Sequence, residues 1–89
     1  GEVNMNMCNM TPEMETEVIE LVRQKAREDR EMVNIAESVT TEMSQRHGHP
    51  WYCFIGRNFK TFVSSLPQIY ISYYIGGHKV LLFQTQQMH

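Results

Sequence analysis

Sulfur and imidazole are the residue types here with the most obvious chemistry. The leading run Met5-Asn6-Met7-Cys8-Asn9-Met10 gathers thioethers around a thiol, a ligand set that suits a soft ion such as copper(I). A tail or edge strand rich in methionine accounts for the same residues without a metal, and is the preferred reading. His47, His49 and Cys53 stand close together, but a helix end and a strand separate them and no fourth ligand follows at a zinc-like spacing. They read as turn histidines and a strand cysteine. Asp29 is the only aspartate, so no calcium loop with several spaced oxygen ligands can be built within this segment. Cys53 lies among aromatic residues, where a thiol is usually inert, and no base, glycine-rich phosphate cradle or pair of loop carboxylates accompanies it. The chain is therefore expected to be neither an enzyme nor a cofactor or metal carrier. What remains is binding chemistry. Tyr70, Ser72 and Tyr74 form a polar-edged aromatic stripe that suits either a core or a half-wet groove.

Those side chains need elements to hold them. The run from His49 to Ser64 is dense in aromatics and divides the chain, with helix-like sequence before it and strand-like sequence after it. Glu2 to Met7 alternates weakly, enough for a short edge strand at most. Thr11-Pro12-Glu13-Met14 predicts a helix start, since Thr11 can cap free amides and Pro12 suits the first helical position. An apolar stripe then runs through Met14, Val18, Leu21 and Val22, with glutamates in the first half and Arg23, Lys25 and Arg27 in the second, matching the helix dipole. The charges Glu28 to Glu31 break the pattern. A second stripe, Met32, Ile35, Ala36, Val39 and Met43, predicts a second helix capped by Asn34 or the residues just before it. Gly48 and Pro50 end it.

Trp51 to Ile55 and Phe59 to Ser64 read as strands joined through Gly56-Arg57-Asn58, where Gly and Asn tolerate a turn. Neither face of Phe59 to Ser64 is plainly polar, so both are expected to be covered by protein, in part by another chain. After Leu66-Pro67, the strand Gln68 to Ile75 sets Ile69, Ile71, Tyr73 and Ile75 on one face and Tyr70, Ser72 and Tyr74 on the other. Gly76-Gly77 predicts a two-residue hairpin turn into a returning strand from His78 to Gln84. Thr85 to His89 are expected to fray. The fold class is α+β, two helices followed by an antiparallel sheet, in one domain spanning residues 1–89.

With 89 residues, a chain buries only about 60–65% of its unfolded surface, so oligomerisation is a natural remedy. The net charge of −2 with interleaved signs offers nothing to nucleic acid or an anionic membrane. No apolar run approaches the roughly 20 residues of a membrane span. Two cysteines in different settings are a poor basis for a disulfide, which favours a reducing, cytosolic location. Gly1 stands where an initiator Met is usual, leaving room for a longer natural chain.

Trp51-x-Cys53-x-x-Gly56-Arg57-Asn58-Phe59, followed by an aromatic strand, a glycine turn and Leu81-Leu82-Phe83, resembles the small dynein light chain family, over nearly the whole chain from Val3 to Thr85. The resemblance implies a homodimer in which a strand from Lys60 to Ser64 crosses into the partner's sheet, with a groove at each edge of the interface. Client chains are implied to add there as an extra strand, often through Thr-Gln-Thr-like motifs, the dynein intermediate chain among them. By position the groove comprises Met32, Val33, Asn58, Phe59, Lys60, Thr61, Phe62, Val63, Ser64, Ser65, Tyr70, Ser72, Tyr74, Lys79 and Leu81. The dimer interface is implied to involve Tyr52, Arg57, Lys60, Thr61, Phe62, Val63, Ser64 and Thr85. A cytoplasmic, cytoskeleton-associated role in a microtubule motor complex, or as a dimerisation hub, follows from the same resemblance.

The pattern departs in places. Met32 and Val33 replace a Glu-Lys pair, Ser65 a groove histidine, Lys79 a small apolar residue and Lys60 a glycine, so client preference is expected to shift or weaken. Tyr52 replaces a histidine whose protonation splits family dimers in mild acid, and Thr85 aligns with a serine whose phosphorylation weakens some of them. Gln84-Thr85-Gln86-Gln87 looks like a client motif, which chance in a Gln-rich tail explains. Flatworm tegumental proteins carry domains of this kind behind EF-hands, which gives an alternative: a dimerisation domain from a larger calcium-binding chain, with a divergent or closed groove.

Overall fold

The computed structural model describes residues 2–48, 50–57 and 68–85. Two helices cover one face of an antiparallel sheet, in the order β1 (Val3–Cys8), α1 (Pro12–Glu28), α2 (Met32–His47), β2 (Trp51–Gly56), β3 (Gln68–Ile75) and β4 (His78–Thr85). The expected strand from Phe59 to Ser64 lies outside the described residues. Among those residues the strand order is β1-β3-β4-β2, so β3 and β4 are central and β1 and β2 are edges.

α1 begins as its sequence dictates: Thr11 Oγ1 accepts the Met14 amide at 3.2 Å, with Pro12 in the first turn. Its buried stripe is Val18, Leu21 and Val22. At α2 the cap falls on a residue before Asn34 and not on Asn34 itself. Asn34 lies inside the helix, Glu31 holds the cap position without a side-chain bond, and Asp29 ties the link by accepting Glu31 N–H at 2.8 Å and Asn34 Nδ2 at 3.0 Å. The reason is that the apolar stripe fixes which residues must be helical, and Met32 already belongs to it. Gly48, at φ 76°, closes the helix, a conformation open to glycine at little cost.

The far ends of the helices are tied together as well. Glu17 on α1 meets Arg46 at 3.1 Å and His47 at 3.0 Å on α2. Burial opposes ionisation of Glu17, but its hydrogen bonds from His47 and Arg46 together outweigh it and hold the carboxyl below the usual range.

Strand alternation sends one set of side chains to the helices. Trp51, Ile71, Tyr73, Val80 and Leu82 join Val18, Leu21, Val22, Ile35, Val39 and Met43 in the core. The glycine pair turns at φ 55° and 79°, both positive, as a two-residue hairpin of matching twist requires. Two boundaries depart from expectation. Gly56 continues β2, pairing with Lys79, because β4 is long enough to hold it. Thr85, expected to fray, is the last paired residue of β4, opposite Gln68.

Candidate interaction surface on the sheet

The opposite face of the sheet is paved in rows set by cross-strand register. Tyr52, Phe83 and Tyr70 form one row. Phe54, Leu81, Ser72 and Met7 form the next. Lys79, Tyr74 and Asn4 form the third, beside Gly56. The rings of Tyr52 and Phe54 stack on Phe83 at 5.2 and 6.3 Å between centroids. Tyr52, Phe54 and Tyr74 remain 44%, 53% and 42% exposed. Large apolar side chains left in water over neighbouring rows mark an interaction surface rather than scattered exposure.

Two buried polar residues sit within this face. Ser72 is fully buried, and its Oγ accepts the Asn6 amide at 3.2 Å. Lys79 is also buried, with Nζ 5.6 Å from the centre of the Tyr74 ring. An ammonium over an aromatic face keeps part of its stabilisation when water is lost. Asn9 fixes the end of β3: its backbone amide donates to Tyr70 O at 3.1 Å and its Oδ1 accepts the Tyr70 amide at 2.7 Å.

On the far side, β2 is the other edge among the described strands. β2 pairs with β4 alone among the described strands, and the edge it presents runs beside the start of α2. A cavity of about 470 Å³ lies there, lined by Met32, Val33, Ala36 and Glu37 of α2 and by Tyr52 and Phe54 of β2 among others. Val33 is 76% exposed and Met32 36%. An unpaired strand edge flanked by apolar side chains is a template for another strand.

The residues singled out in the sequence therefore fall into three groups. Tyr70, Ser72, Tyr74, Lys79, Leu81, Tyr52 and Thr85 share the exposed side of the sheet by alternation, and Met32, Val33 and Arg57 flank the β2 edge or follow it. Asn58 to Ser65 lie outside the described residues. Sequence reading missed Phe54 and Phe83, the exposed ring and the ring that joins it to Tyr52. Their period-two spacing from Tyr52 and Leu81 was the signal.

The sulfur and imidazole residues turn to structural tasks. Cys8 Sγ accepts the Met10 amide at 3.4 Å and lies 3.9 Å from Glu15. Burial, with the nearby carboxylate, raises its pKa. Cys53 packs against the core, and burial pushes its thiol up to about 12, far from a working thiolate. His47 faces Glu17, as above, and His49 lies outside the described residues. No helix among the described residues is long and apolar enough to cross a membrane.

Comparison with known proteins agrees with this architecture. A family model described as dynein light chain type 1 matches residues 2–85. A cytoplasmic dynein light chain of Emericella nidulans is 31% identical over 85 residues, covering 96% of this chain and 90% of that protein. Cytoplasmic dynein light chain 1 of Candida glabrata is 30% identical over 84 residues, 94% of this chain and 98% of that one. Among solved structures, the dynein light chain-like domain of the Fasciola hepatica calcium binding protein FhCaBP2 superposes with a TM-score of 0.85 at 23% identity, covering 96% of this chain and 92% of that one. The corresponding domain of CsTAL3 reaches 0.80 at 12% identity, covering 96% and 94%. With two helices on a four-stranded antiparallel sheet and a family match across nearly its whole length, the chain belongs to the dynein light chain family.

Proposed function

We propose that this chain is a non-enzymatic, homodimeric protein-interaction module that takes extended client peptides by strand addition beside the dimer interface. The observation that carries the reading is the outer edge of β2, which no other described strand pairs, bordered on one side by the exposed rings of Tyr52 and Phe54 and on the other by Met32 and Val33. A strand exchanged from the partner, residues 60–64 in this reading, pairs with β2. The client then adds to that strand, its backbone supplying affinity and side-chain pockets supplying selection. The aromatic rows of the sheet meet their counterparts across the dimer, which removes apolar surface from water at about 25 cal/mol per Å². Clients are Thr-Gln-Thr-like segments such as that of the dynein intermediate chain, and the setting is the cytoplasm and its cytoskeleton, as the cytoplasmic relatives suggest.

Client choice should be altered. Glu31 makes no side-chain bond to the first-turn amides of α2, so those amides are left to receive a client glutamine. Met32 and Val33 offer it no polar side chain. Calorimetry of the full chain with a Thr-Gln-Thr peptide is expected to show binding on the order of tenfold weaker than a family member with a charged pair there, as loss of one charge-assisted hydrogen bond predicts. Failure of every sequence in a displayed peptide library to bind would overturn the client-binding reading in favour of a closed structural dimer.

A second reading is favoured by the close superposition on a domain of a calcium-binding protein. In it the chain is the dimerisation domain of a larger tegumental EF-hand protein, and the exposed Val33 marks a groove that has lost its clients. The transcript upstream of Val3 decides between them, since EF-hand loops are present in one case and missing in the other.

A further inference from the structure

A cavity of about 740 Å³ lies between the helix pair and the end of the sheet that carries the β3–β4 turn. It opens on the helix side, away from the aromatic rows, and shares Met32 and Ile55 with the cavity beside β2. Its floor is the margin of the core: Val22 and Ile35 from the helices and Ile55, Ile75 and Val80 from three strands. Its mouth has the opposite character. Arg23, Arg27, Arg30 and Arg57 all line it, half of the eight basic residues in a chain whose net charge is −2. Arg23 and Arg27 stand one turn apart on α1, Arg30 lies in the link to α2, and Arg57 follows β2.

Compensating charge at the mouth is sparse. Asp29 is the one carboxylate among the lining residues, and its two oxygens already accept the Glu31 amide and the Asn34 side chain. Arg23 pairs with Glu20 at 3.6 Å. Among the described residues Arg27, Arg30 and Arg57 make no ion pair. With Arg23 set against Glu20, the remaining three guanidinium groups less the Asp29 carboxylate leave a formal +2 around the cavity. Like charges so gathered repel one another until an anion joins them.

The geometry points to a binding site for a single-chain amphiphilic carboxylate, a free fatty acid in chemical class. The alkyl tail lies against the Val22, Ile35, Ile55, Ile75 and Val80 floor, and the carboxylate sits at the mouth, where guanidinium forks take it by paired hydrogen bonds. A bare anion would leave the apolar floor wet, and a neutral hydrocarbon would bring no anion to Arg27, Arg30 and Arg57. The volume falls in the range of roughly 300–1,000 Å³ usual for small-ligand pockets. The site borders the client reading at Met32 and Arg57, and the position of the dodecanoate shifts, on the Val22 and Ile75 side rather than at Tyr52 and Phe54, tells the two apart.

The test is titration of the full chain with dodecanoate below its micelle concentration, followed by calorimetry and by amide chemical shifts. Saturable binding of one dodecanoate per chain is expected, with the largest shifts at Val22, Ile35, Ile55 and Ile75. Dodecyltrimethylammonium, with the same tail and the opposite charge, and acetate, with the same head and no tail, should each bind at least roughly tenfold more weakly. The double variant Arg27→Gln/Arg30→Gln, at two exposed positions, should lose roughly tenfold in affinity for dodecanoate. Ala26→Trp, at another exposed lining position, should block entry with every charge retained. Equal binding of the cationic amphiphile, shifts centred on Tyr52, Phe54 and Phe83, or absence of saturation would each overturn the site. The head-group comparison uses the unaltered chain, so it stands even if a variant fails to fold.

Discussion

Tyr73 carries a phenol into the middle of the core, where its side chain is fully buried and its hydroxyl has no hydrogen-bond partner among the described residues. Burial pushes its ionisation upward, so the hydroxyl stays a neutral donor with no acceptor among the described residues. A buried polar group in that position costs on the order of 1–3 kcal/mol. Tyr73→Phe keeps the ring and removes the cost, and it should raise the free energy of unfolding by about 1 kcal/mol in urea denaturation. Trp51 Nε1 is in the same condition, but trimming that ring opens a cavity and is no clean comparison. Glu17 gives a second residue-scale expectation. Its carboxyl titrates lower in the folded chain than the ordinary value of 4.5, so its contribution is complete above that value and is lost as pH falls through the lower folded one. Glu17→Gln should therefore cost stability at pH 7, by about 0.5–1 kcal/mol for so exposed a cluster. The difference from the unaltered chain should close in acid, as thermal melts at pH 7 and pH 2.5 would reveal.

At the scale of elements, the β3–β4 hairpin depends on a backbone that few residues adopt. Gly77 stands at φ 79° with open space where a Cβ would lie, so Gly77→Ala meets only the conformational penalty, about 1–2 kcal/mol. Chemical denaturation reads that loss, and register should be kept because the pairs from Ile75↔His78 onward are unchanged in kind. This turn was legible in the sequence, as were the Thr11 cap, the two helical stripes and the two faces of β3, because each is a local pattern whose period or turn chemistry has one main solution. Asn34 is not the cap of α2, since a capping side chain competes with an apolar stripe, and the stripe won. The aromatic rows were only half legible: Tyr70 and Tyr74 announce themselves, but register with β4 is what sets Phe83 between Tyr52 and Phe54. The arginines of the cavity were not legible at all. On α1 they complement the dipole, Arg30 breaks a pattern, and Arg57 follows a glycine; only folding brings their separate segments to one mouth.

For the whole molecule, the decisive side chain is Tyr52. In the proposed dimer it lies near the axis, and a phenol takes up no proton in mild acid, whereas an imidazole does. Sedimentation at pH 5 should show the dimer intact, and Tyr52→His should convert it to monomers below about pH 6. Monomers of the unaltered chain at pH 5 would count against that assembly. The two margins of the sheet, finally, are unlike. β1 is an edge too, yet its pairing with β3 slips between Met5 and Met7, and Asn6 bends its amide over to Ser72. A bulged edge is a poor template for further strands. Among the described strands the sheet therefore has two unlike edges, a regular one along β2 and one blunted by its bulge along β1. Stacking of chains into an endless ribbon, the hazard of any exposed sheet, is discouraged along β1 by a single surplus asparagine.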